Sequence, residues 1–275
     1  MRRLAWGGGL VLLALFIIVQ AAFWYGRAIF AEPGVETASS VTEALNARRI
    51  VLVFAHPDDE ITATELISRA VEEGAFVATI TATRGEAGTQ YPPIVAQNHL
   101  GVVREGELRR HGFALGLDEQ IVLGLPDGGV EQAMSDAELA ARVLEELDRL
   151  QPDAVVSFHP PSGVSMHPDH RAMGRAALAA TQAYAEARGE AVTLAYTLVS
   201  RPGTRRFGGE RYAQVADLQP DPDFALNVDI GLKTRAWRIH ASQADYLAET
   251  TGVPAWLLYR LWRQEYYAVQ TIEPN

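Results

Sequence analysis

Short apolar runs alternate with amphipathic stretches along most of this chain. Ile50–Ala55 has no polar side chain, as expected of a strand buried on both faces of a parallel sheet. Glu60–Glu73 places Ile61, Leu66, Ile67, Ala70 and Val71 at helical spacing and stops at Gly74, a natural C-cap. Ala75–Thr83 is apolar and β-branched, a second strand, and the strand-helix-strand order predicts a right-handed parallel crossover. Beyond it the pattern predicts a helix over Gln97–Leu115, a strand over Gln120–Leu125 and a turn at Pro126–Gly129. A periodic helix over Asp136–Leu150 follows, N-capped by Ser135, then a strand over Ala154–Phe158, an Ala-rich helix over Arg171–Arg188 and a strand over Ala191–Leu198. Arg201–Asp223 reads as loop, Val228–Ile230 as one more strand, and Thr234–Leu247 and Ala255–Tyr266 as helices. The whole describes one α/β domain with a parallel sheet.

The first thirty residues belong to a different solvent. From Leu4 to Tyr25 nothing ionises before the tyrosine, and the run is long enough to cross a hydrocarbon core as a helix. Trp6, Trp24 and Tyr25 sit near its ends, as interfacial aromatics do. Arg2 and Arg3 precede it, while Arg27 and then Glu32 and Glu36 follow, so the positive-inside bias places the N-terminus in the cytoplasm and the domain on the far side. A cleaved signal peptide is the rival reading; no small-x-small site follows the run, which favours an uncleaved anchor. The expected organisation is an anchor over residues 1–31, a Pro/Gly/Ser-containing linker over 32–48 and one globular domain over 49–275.

Composition narrows the chemistry. The 275 residues are 48% hydrophobic, enough for one sizeable core. With no cysteine, disulfides and thiolate metal sites are excluded, and any metal must use imidazole and carboxylate ligands. The net charge is −10 and Lys233 is the sole lysine, so a nucleic-acid partner is not expected.

Two clusters carry that chemistry. His56-Pro57-Asp58-Asp59-Glu60 stands directly at the end of the first strand, and His167-Pro168-Asp169-His170 follows the fourth. Ligands of open α/β sheets bind outside the carboxyl ends of the strands, where these clusters can converge. Crowded carboxylates repel one another, and a divalent cation turns that repulsion into coordination. The plainer reading of each is a helix start, with proline at a first position and acids favoured by the macrodipole. A catalytic zinc takes three protein ligands and leaves a place for water. His56, Asp59 and His170 supply three, and Asp58 and His167 are left as base and as acid or oxyanion partner.

Ala55–Glu60, Thr83-Arg-Gly-Glu-Ala-Gly88 and His167–Arg171, in that order, resemble the PIG-L/LmbE-like deacetylases, with weaker signatures at Leu125–Gly128 and His240–Gln243. The resemblance extends from about Arg49 to Gln243. It implies a Rossmann-like three-layer α/β/α fold with a mostly parallel sheet and a zinc-dependent N-acetylglucosaminyl deacetylase activity. His56, Asp59 and His170 would bind one zinc ion and Asp58 would be the general base. His167 would sit by the scissile amide with Asp169 orienting it, and Arg84 and Asp127 would contact sugar hydroxyls. Arg84 also reads as a surface loop cation, Asp127 as an ordinary turn residue and His111 as a solvent-facing residue of a charged helix. The segment Glu60–Leu66 lacks the Gly-rich run of many members, which leaves the substrate open. A glycan-binding protein with a residual metal site, or a hydrolase of another amide, an ester or a phosphoester, are the rival functions; the oligomeric state is not legible.

Overall fold

The computed structural model describes residues 2–274. Seven strands form one sheet: β1 (Arg49–Phe54), β2 (Phe76–Thr83), β3 (Glu119–Leu125), β4 (Ala154–Phe158), β5 (Val192–Leu198), β6 (Phe224–Asn227) and β7 (Gln264–Ile272). Their spatial order is β3-β2-β1-β4-β5-β7-β6. β1 to β5 are mutually parallel, whereas β7 runs antiparallel to both β5 and β6. The chain winds outwards from β1 to β3 and then returns to place β4 on the other side of β1. That reversal is the topological switch point, where the crevice of a doubly wound sheet opens.

The central strands are apolar because helices cover both faces. Every residue of β4, and of β1 from Ile50 onwards, is buried. Helix Asp136–Leu150 starts on a capping box between Ser135 and Glu138 and buries Leu139, Val143, Leu147 and Leu150, the stripe that faces helix Pro168–Arg188. Helices Thr64–Glu72 and Leu100–Leu115 follow β1 and β2. This is the three-layer, mostly parallel α/β architecture expected from the sequence.

The region beyond β5 differs from its reading. Arg201–Asp223 holds two helices, Arg201–Phe207 and Gly209–Leu218. Ser200 caps the first by accepting the Gly203 amide, and Pro202 sits in its first turn, where a missing N–H costs nothing. The strand placed at Val228–Ile230 is Phe224–Asn227, and Ile230 instead opens the helix Ile230–Ile239, capped by Asp229. The last helix ends at Leu261, and Gln264–Ile272 is strand. No glycine or proline separates those two elements, so the apolar pattern runs on while Tyr266, Tyr267 and Val269 favour a pleated surface.

Residues 32–48 lie against the domain. Ala225 of β6 exchanges hydrogen bonds with Glu36 and Ala38, both at 2.9 Å, and Val41 and Leu45 are in the core. Ahead of them runs the helix Arg2–Phe30, whose stretch Leu12–Phe30 is long and apolar enough to cross a membrane.

Candidate metal centre and active site

β1 and β4 are neighbours, and their carboxyl ends deliver both clusters to one place. His56 Nδ1 lies 3.1 Å from His170 Nε2. Asp59 Oδ2 is 3.5 Å from the first nitrogen and Asp59 Oδ1 is 3.2 Å from the second. Each ring is held from behind. His170 Nδ1 donates to the Gly163 carbonyl at 2.9 Å, near the Ser165 hydroxyl at 3.0 Å, and the ring stacks on Phe158. His56 Nε2 faces Asp127 Oδ1 at 3.1 Å and Asp169 Oδ2 at 3.2 Å, so it carries the proton. Both inward nitrogens are therefore left as lone pairs that face each other beside a carboxylate. Three acceptors so arranged need a cation between them. These residues fit a metal ion.

Spacing separates this group from its neighbour. Ligands at zinc distances stand roughly 3.3 Å apart in a tetrahedral shell, as His56, Asp59 and His170 do. Glu60 Oε1 instead lies 2.7 Å from His111 Nδ1 and 2.6 Å from His240 Nε2, which are hydrogen-bond lengths. That second trio is a buried carboxylate clamped between two imidazoles. Burial raises the Glu60 pKa, but His240 and His111 overcome it and hold the carboxyl far below its usual range. His240 titrates above the ordinary imidazole value despite burial, because Glu60 favours its cation.

Asp58 sits beside the ligands at φ 100°, a left-handed conformation rare for a residue with a Cβ. Its amide donates to Glu60 Oε2 at 3.0 Å and its carboxylate meets Arg104 Nη2 at 3.1 Å. Burial is the largest influence on its carboxyl and the Arg104 charge opposes it; the pKa rises to about 6. Burial also pushes Asp59 up, but His170 and His56 outweigh it and leave the carboxyl well below 3.8. His56 runs the other way. Burial lowers it, while Asp127, Asp169 and Asp59 raise it well above 6.5.

His167 caps the helix Pro168–Arg188, its Nδ1 accepting the Asp169 amide at 3.2 Å. Its ring centre is 4.8 Å from that of His56 and 5.1 Å from that of His170. Burial first, then the nearby His56 and His170, lowers its pKa and keeps it neutral, with the proton on Nε2.

Four residues have surroundings other than those read from the sequence. The Asp169 carboxylate orients His56, not His167: it also accepts the Gly128 and Val130 amides, because the second helical position turns it inward. Arg84 is half exposed and pairs with Glu105 at 2.8 Å; the arginine on Asp58 is Arg104, held by the Pro57 and Gly85 carbonyls. His111 is buried. Asp127 joins the site, but by holding His56 and accepting the Ala87 amide at 2.8 Å. His159 lies aside, near Ser162 Oγ, with burial lowering its pKa to about 4.

Residues 51–181 match the family model described as "PIG-L: GlcNAc-PI de-N-acetylase". A 1D-myo-inositol 2-acetamido-2-deoxy-alpha-D-glucopyranoside deacetylase of Streptomyces griseus is 35% identical, over 72% of this chain and 76% of the relative. The chain belongs to the PIG-L family. A PIG-L relative of the same name in Kineococcus radiotolerans is 33% identical over 62% of the chain, which spans about half (51%) of that relative's length. Among solved structures, the N,N'-diacetylchitobiose deacetylase of Pyrococcus horikoshii superposes with a TM-score of 0.57 over 84% of this chain and 90% of its own. Its sequence identity is 18%, so that likeness speaks for the fold alone.

Proposed function

We propose that this PIG-L chain is a zinc-dependent N-deacetylase that removes the acetyl group from an N-acetylglucosamine-type sugar, free or carried on a lipid or larger glycan. The observation that carries the reading is the convergence of two imidazole lone pairs and the Asp59 carboxylate at the switch point. Both sequence relatives are named as deacetylases of an acetamido sugar, which supports the choice of bond. His56, Asp59 and His170 would hold the ion; two imidazoles and one carboxylate suit zinc, whereas magnesium and manganese sites lean on oxygen. Held there, the ion would polarise the amide carbonyl and lower the pKa of a water towards neutrality.

Asp58 accepts the proton of that water. A carboxyl titrating at about 6 is matched to such work near neutrality, and Arg104 and the Glu60 contact keep it from swinging away. The water oxygen bonds to the acetyl carbon as the carbonyl π bond opens; the π bond re-forms as the carbon–nitrogen bond breaks, and the proton passes from Asp58 to the departing nitrogen, giving the free amine and acetic acid, which ionises to acetate. His167 offers its Nε2–H to the carbonyl oxygen as negative charge grows there.

We read the apolar helix as an uncleaved anchor over residues 1–31, and the arginines ahead of it favour the extracytoplasmic side for the catalytic domain. The test is acetate release by the zinc-loaded full-length chain from N-acetylated sugars and glycolipids. Release that chelation abolishes and zinc restores is expected. Failure on every such substrate, or indifference to chelation, overturns the reading.

A further inference from the structure

The helix Arg2–Phe30 ends at the same edge of the sheet that carries the site. β7 is antiparallel to β5 with Tyr266 opposite Leu198, the last residue of β5, so the start of β7 lies at the carboxyl edge of the parallel strands. The Tyr266 hydroxyl donates to the Phe30 carbonyl at 2.9 Å. The Phe30 ring stacks between Phe207 and Trp262, 5.7 Å from each. From Phe207 the chain continues into helix Gly209–Leu218, where Arg211 donates to the Ser165 carbonyl at 2.6 Å, and the Ser165 hydroxyl is the one beside His170.

Around the helix exit the surface is aromatic and basic. Phe207 is 65% exposed and Trp256 48% exposed. The Arg27 guanidinium lies over the Phe23 and Trp24 rings, its Nε donates to the Arg260 carbonyl, and the Arg260 guanidinium lies over Trp256. Arg206 stands exposed next to Phe207. In a chain of net charge −10 this is a local basic collar. Aromatics with cations beside them suit the headgroup layer, whose phosphates complement the arginines.

We propose that this edge of the sheet seats on a lipid bilayer, with Phe207 and Trp256 in the headgroup layer, so that the site opens within reach of the membrane surface. The inference rests on the anchor reading above. The collar is continuous with an apolar helix exposed from Leu12 to Ala22, which selects a lipid surface rather than a protein partner.

The chain has no cysteine, so single substitutions take a nitroxide label at one place only. Full-length Phe207→Cys and Trp256→Cys are labelled and reconstituted in phosphatidylcholine/phosphatidylglycerol vesicles, beside Trp24→Cys on the helix and Phe113→Cys. Phe113 is 86% exposed and sits near the end of helix Leu100–Leu115, which leads to the start of β3 at the opposite edge of the sheet. Labels at 207 and 256 are expected to gain accessibility to oxygen and lose it to a water-soluble nickel chelate, as at 24, while 113 stays open to the chelate. If 207 and 256 behave like 113 while 24 reports lipid, docking is wrong and the anchor stands. If 24 also reports water, the anchor fails and docking falls with it. Two independent collar positions keep the outcome decisive should one variant fold poorly.

Discussion

Glu60 holds the backbone of Asp58: its Oε2 accepts the Asp58 amide at 3.0 Å while its Oε1 is gripped by His111 and His240. A left-handed non-glycine residue costs about 1–3 kcal/mol and persists only where its surroundings over-determine it. Glu60→Gln should therefore do two things. It replaces the buried carboxylate shared by His111, His240 and the Asp58 amide with a weaker neutral acceptor, at a cost of about 1–3 kcal/mol in denaturant unfolding, and it lowers kcat more than it raises KM, because the base loses its aim.

Asp58→Asn should keep the metal and lose turnover by roughly 10²- to 10⁴-fold, the usual worth of a general base. The carboxyl titrates at about 6 because burial disfavours its charge, so the wild-type rate should fall as pH drops through that value and the base becomes protonated. Metal analysis with pH–rate profiles of both proteins checks this. A variant with full rate and an unchanged acid limb would falsify the assignment.

Asp169→Asn should weaken metal binding about 10- to 100-fold, the usual effect of disturbing a group behind a ligating imidazole. Its carboxylate fixes the His56 tautomer from a buried position, while His167 is reached only by its amide. Competition with a chromogenic chelator gives the affinity directly.

Glu73 makes an acid-side contribution to stability. It accepts the Val41 and Thr42 amides and the Ser40 and Thr42 hydroxyls. Burial nudges its pKa up, but those donors bring it down to about 2 from 4.5. A depressed carboxyl stabilises above its unfolded value, and the contribution disappears as pH falls from about 4.5 towards about 2. Thermal melts of Glu73→Gln should accordingly lie below wild type at neutral pH and converge with it in that window.

The only lysine, Lys233, is buried against Glu265 and the Ile61 carbonyl. Glu265 also accepts the Glu65 and Leu66 amides at the start of helix Thr64–Glu72. Lys233→Met leaves that carboxylate unpaired and should cost about 3–5 kcal/mol, and adding Glu265→Gln should recover part of it. Equal unfolding midpoints for the single variant and wild type would contradict this.

The parallel core was legible because its strands are short, uninterrupted apolar runs, and the two His/Asp clusters because they lie in the segments that follow those runs. The antiparallel pair β6–β7 was not legible. Phe224–Asn227 is a strand by virtue of its partner, and that partner lies some forty residues on, joined without punctuation to a helix. Arg104 and His111 were hidden for a similar reason. Helix Leu100–Leu115 carries charges along both its covered and its open sides, so nothing in its pattern distinguishes a guanidinium aimed at Asp58 from one in water. Asp127 looked like a turn residue because it is one; only the approach of His56 gives it a second task.

The proposed ligands stand beyond two adjacent strands, His56 and Asp59 after β1 and His170 in the helix that follows β4, and backbone hydrogen bonds set the separation of those strands at about 4.8 Å. The spacing of the proposed site is thus set by the sheet itself, whereas the connections after β5 reach it only by side-chain contacts such as that of Arg211 with Ser165. Lengthening or replacing those connections would redraw what the enzyme admits without retuning how it cuts, which makes them the natural place to engineer a new acceptor.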